Sequence, residues 1–134
     1  METIYSVVED IYLKYTDENV WKIFFLGELH DLDKNDYRVV LSLLPYLEIG
    51  RENVLKKIKN EVPRESFPEK LIIEAGLSSA REGWVSLAVQ WLVEMPDYDA
   101  NLFDGYLKQI AFNKGYGQKL RHSIIKFLKN NEFS

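Results

Sequence analysis

The chain has 134 residues, a formal net charge of −4, no cysteine and two histidines. That length suits one self-sufficient core, and without cysteine neither a disulfide framework nor a thiolate zinc site can be built. No uncharged apolar run is long enough to cross a bilayer, and the N-terminus lacks a basic start followed by an apolar stretch, so a cytoplasmic, non-exported protein is expected.

Helical periodicity is read almost throughout. Ile4, Val7, Val8, Ile11 and Tyr15 recur at three-and-four spacing and predict an amphipathic helix over residues 2 to 15. Thr16 or Asp17 is the expected cap of a second helix carrying Val20, Phe24 and Leu26 to Leu29 and ending near His30, followed by a polar connection, LHDLDKND. A third helix is expected over residues 36 to 48, kinked at Pro45 and closed by Gly50 in a left-handed conformation. Val54, Leu55, Ile58 and Val62 predict a short fourth helix stopped by Pro63.

In the second half, Ser66 with Glu69 and Ser79 with Glu82 fit the S-x-x-E capping box and predict helices over 67 to 77 and 80 to 95. Pro96 closes the latter, Asp99 caps a helix over 100 to 114, and Gly115 and Gly117 separate it from a last helix ending near Asn130. LIIEAG at 71 to 76 has the composition of a buried strand, but the capping box before it favours helix. The expected fold is therefore all-α, a single domain of about eight helices in four antiparallel hairpins.

A repeat supports that reading. Phe67, Leu71, Ala75 and Leu92 recur 36 residues later as Phe103, Leu107, Ala111 and Leu128, while Trp84, Ala88 and Trp91 fall on Leu120, Ile124 and Phe127. Residues 66 to 131 resemble two HEAT-type helix pairs, and the run from Leu120 to Leu128 is similar to the second helix of such a repeat, with Arg121 where that helix often carries arginine. The first 65 residues would then be divergent helical pairs, and the resemblance implies a right-handed stacked array. In size, acidity and expected architecture the chain also resembles immunity proteins of bacterial contact-dependent toxin systems.

Chemistry-bearing motifs are sparse. Asp31, Asp33 and Asn35 mimic the first three ligand positions of a calcium loop, but Asp36 and Ser42 stand where glycine and a bidentate glutamate are needed, so the acids are read as turn and cap residues. No nucleophile turn or phosphate-binding glycine loop is present, and Asp97 and Asp99 lie where a helix start explains them. No catalytic, metal or cofactor site is expected, and the chain is read as a non-enzyme.

The charge is uneven. From Met1 to Asp36 nine acids face three lysines, whereas residues 105 to 131 hold six bases and no acid. An acidic majority disfavours nucleic acid as the main ligand and favours a basic protein partner. Two acidic stretches are the expected partner-binding residues: Glu94, Asp97, Tyr98, Asp99 and Asp104, and Glu28, Asp31, Asp33 and Asp36. The expected function is a stoichiometric protein-binding module, in its most concrete form an immunity protein that occludes the active site of a basic toxin domain such as a nuclease. The alternatives are a scaffold or regulatory subunit, or a nucleic-acid-binding helical repeat using Lys119, Arg121, Lys126 and Lys129.

Overall fold

The computed structural model describes residues 2–132. It overturns the all-α expectation. The first 31 residues hold four strands, β1 (Thr3–Tyr5), β2 (Tyr12–Tyr15), β3 (Trp21–Phe25) and β4 (Glu28–Asp31), joined as an antiparallel meander in the order β1-β2-β3-β4. The two N-terminal helices expected over 2 to 15 and 17 to 30 are thus hairpins, and the fold is mixed α and β. By internal contact the chain divides into two compact units, residues 1–75 and residues 76–134, which we call the sheet unit and the helical unit.

Strand alternation explains the sheet. Ile4, Leu13 and Ile23 align across β1, β2 and β3, with Tyr15, Trp21 and Phe25 on the same face, and all six are buried. The other face carries two cross-strand rows, Tyr5–Tyr12–Phe24–Leu29 and Thr3–Lys14–Lys22–Asp31. Period two within short strands, with β-branched and aromatic residues on the buried face, is what a half-buried sheet requires. The turns have the residues they need. Asp10 and Asn19 adopt φ of 68° and 62°, a left-handed conformation that short polar side chains tolerate.

Helices α1 (Tyr37–Leu43), α2 (Pro45–Ile49) and α3 (Arg51–Leu55) follow, and α1 lies against β3. Asp36 caps α1 by accepting from the Arg38 amide, and the expected kink at Pro45 is the break between α1 and α2. Gly50 adopts the expected positive φ, 94°. The buried Tyr46 hydroxyl accepts from the Leu13 amide at 2.7 Å and donates to the Ile4 carbonyl. It therefore sits in the ladder between two residues that pair across β1 and β2. Burial pushes the Tyr46 phenol well above the ordinary tyrosine range, with the Leu13 amide acting in the opposite direction. Trp21 is fixed similarly, its ring edge-on to Phe67 at 5.3 Å and its Nε1 donating to Ser66 Oγ.

From α4 (Glu69–Leu77) onward the expected helices are present. The helical unit contains α5 (Glu82–Glu94), α6 (Ala100–Ala111) and α7 (Gln118–Glu132), with α7 packed against both others. Every position of the 36-residue repeat is buried or half-buried. The two capping boxes are not formed. Ser66 donates to the Pro63 carbonyl and Glu69 accepts from Arg51 Nε at 2.8 Å. Ser79 accepts from the Arg81 amide, and Glu82 accepts from the Gly117 amide at 2.6 Å, beside the start of α7.

Candidate functional site

The two acidic stretches singled out in the sequence fall in different units. In the helical unit Tyr98 is half-buried; its hydroxyl donates to Asp104, and its ring lies edge-on to Phe127 at 5.0 Å and 6.3 Å from Phe103. Burial and then the Asp104 hydrogen bond hold its phenol well above the ordinary tyrosine range. Asp99 caps α6 through the Leu102 amide at 3.2 Å, while Glu94 and Asp97 are exposed. Tyr98 therefore braces its own hairpin.

In the sheet unit, Glu28 and Asp31 belong to β4, and Asp31 pairs with Lys22 at 3.4 Å. Asp33 accepts from the Asn35 amide at 2.9 Å, and Asp36 caps α1. Among the described residues no three His, Asp or Glu side chains converge as metal ligands. His30 pairs with Ile23 across the sheet and stacks on Phe25 at a centroid distance of 3.9 Å, and its buried Nε2 has no hydrogen-bond partner.

A different surface stands out. Ten large hydrophobic residues are exposed among those described, and eight of them, Tyr5, Val7, Val8, Val20, Leu26, Leu29, Tyr37 and Leu41, lie in the sheet unit. The meander brings the β1–β2 and β3–β4 turns to the same end of the sheet, where Ile11, Phe24, Leu26 and Leu41 line an open groove of about 660 Å³ with Glu9, Asp10 and Arg38. Such a volume is in the range that receives a ligand or large side chains. Phe24 also stacks on Tyr12 at 4.6 Å, which joins the groove to the aromatic row of the outer face.

Leu26 is the unusual residue at this end. It and Gly27 form a two-residue turn between the paired Phe25 and Glu28, with φ of 52° and 81°. Two positive φ values are what a type I′ hairpin turn needs, and Asn-Gly is its usual sequence. A leucine in the left-handed region costs roughly 1–2 kcal/mol from contact between its Cβ and the backbone. This leucine is also 80 % exposed, so no burial within the chain offsets the cost.

The electrostatics of the groove are one-sided. Arg38 is held by Asp36 through contacts of 3.2 Å and 3.4 Å and lies 5.9 Å above the centre of the Phe25 ring. Its charge is thus matched inside the chain. Glu9 and Asp10 make no hydrogen bond or ion pair with their side chains among the described residues, and Glu28, next to Gly27, adds a third carboxylate whose field reaches Arg38. Ser42 donates its hydroxyl to the Arg38 carbonyl at 2.8 Å. The arrangement can hold an apolar group flanked by cations.

No protein-family model, curated protein or solved structure matches the chain. Of the groove residues, helical periodicity in the sequence places Ile11, Phe24 and Leu26 on apolar helix faces. The available signal was Phe25-Leu26-Gly27-Glu28, a glycine two positions after the aromatic-rich run Trp21–Phe25, which reads as a tight hairpin turn.

Proposed function

We propose that this chain is a stoichiometric protein-binding module acting in the cytoplasm, which engages a basic protein through the turn end of its sheet. The observation that carries this reading is the open apolar groove at the turn end of the sheet, where the exposed Leu26 and Leu41 join Ile11 and Phe24 beside the carboxylates of Glu9 and Asp10. A contiguous apolar patch with a polar rim marks an interaction surface, and carboxylates at the rim select a cationic partner and speed its approach. The most concrete form is an immunity protein that blocks a basic toxin domain, with acids meeting the cations that would otherwise hold nucleic acid.

The test is copurification from the native host at modest salt, followed by expression of whatever is recovered. One basic protein recovered in equimolar amount, toxic alone and harmless with this chain, is the expected result. Recovery of several subunits of one assembly would replace the inhibitor with a scaffold. Recovery of RNA or DNA alone would overturn the protein-binding reading.

A further inference from the structure

We infer that the groove between the two turns receives one extended segment of the partner, a large aliphatic side chain flanked on both sides by lysine or arginine, with Leu26 as the principal anchor on this chain. The inference rests on the protein-binding reading above and names the chemistry of what is bound.

The floor and the rim ask for different things. Ile11, Phe24, Leu26 and Leu41 present carbon surface to the opening, so the group seated there gains by leaving water. Among the described residues no cation stands on Glu9 or Asp10 at the same opening, and Glu28 follows the β3–β4 turn outside the lining, while the lining cation Arg38 is already occupied by Asp36. An apolar side chain between cations satisfies both. A nucleic-acid strand would bring phosphates against the Glu9 and Asp10 carboxylates, and a second copy docking by the same end would bring those same carboxylates together.

The Leu26 turn supplies a separate argument. Asparagine at position 26 would relieve the left-handed strain and complete an Asn-Gly turn, so folding alone favours the polar residue. A strained residue points to a use outside the fold when the fold gains nothing from it. Leu26, projecting at the lip of the groove, has such a use as a binding anchor.

The experiment uses the full-length isotope-labelled chain and three acetylated hexapeptides, KRILKR, KRSSKR and EDILED. With KRILKR, amide shift changes are expected to centre on residues 5 to 12, 24 to 28 and 38 to 42, and to weaken as salt is added. The serine-centred and acidic peptides should bind at least about tenfold more weakly, because each lacks one half of the complement. Leu26→Asn should melt higher than the parent and still lose about tenfold in affinity for KRILKR. Equal binding of KRILKR and KRSSKR, shifts centred on α6 and α7, or unchanged affinity in a stably folded Leu26→Asn variant would each overturn the inference. Concentration-dependent dimerisation through residues 24 to 28 would assign the groove to a second copy instead. The two proposals fail separately. A host partner captured equally by parent and Leu26→Asn chains removes the groove and keeps the binding function, whereas KRILKR binding without any host protein partner does the reverse.

Discussion

Leu26 and Tyr98 are both large side chains in connecting segments, yet the two units treat them in opposite ways. In the helical unit Tyr98 is covered by Phe103 and Phe127, and its hydroxyl is committed to Asp104. In the sheet unit Leu26 stands in water on a strained backbone and is one of eight exposed large hydrophobic residues, against Val93 and Phe112 among the described residues of the helical unit. The helical unit uses Tyr98, Phe103 and Phe127 to close itself. The sheet unit keeps apolar surface that its own packing does not need, and retained surface of that kind is where binding is to be sought.

The comparison can be broken most forcefully from the helical side. Phe103 is fully buried, and Phe103→Ala should cost about 3–5 kcal/mol in urea denaturation through lost transfer energy and a cavity. If α6 and α7 amides lose hydrogen-exchange protection while those of β2 and β3 keep theirs, the units open separately; equal loss would merge them. Next in size is Tyr46→Phe, which leaves the Leu13 amide and the Ile4 carbonyl without their bridge inside the sheet unit. Roughly 2–4 kcal/mol is expected, with exchange protection falling first at residues 3 to 15.

A cap provides a smaller, local probe. Asp99→Ala should cost about 1 kcal/mol by removing the acceptor for the Leu102 amide, read as fraying of the first turn of α6. High pH should act on both units. In the fold Tyr46 and Tyr98 hold their protons more tightly than at the ordinary value of 10.0, so the unfolded chain releases them first. Their contribution to stability is complete below pH 10 and falls as pH rises beyond it. Melting temperature should therefore drop above pH 10, and less steeply in Tyr98→Phe.

The helical unit was legible in the sequence because its helices are long enough for the 3.6-residue period to dominate, and because Asp99 and Pro96 mark boundaries by simple backbone chemistry. The sheet was misread. Its strands are three to five residues long, too short for alternation to establish itself, and Val7, Val8 and Ile11 in the first turn happen to continue a helical spacing from Ile4 to Tyr15. Stronger signs lay in the turn residues Asp10, Asn19 and Gly27, all at positive φ. Acidic stretches were correctly seen as helix caps at Asp36 and Asp99, but the groove was hidden because residues 9 to 11, 24 to 27 and 38 to 42 meet only when the meander places two turns beside α1.

The hydroxyl of Tyr46 also sets an order of events. The rung between Ile4 and Leu13 is completed by a residue that comes 33 positions after Leu13, and the Glu2 carboxylate receives its hydrogen bond from the Lys59 amide, 57 positions away. The first of the four strands in chain order is thus among the last to be secured. A nascent chain released or stalled before α2 has emerged carries an unclosed sheet edge, and the completed edge strand is fastened by α2 and by the segment after α3 as a latch fastens a lid.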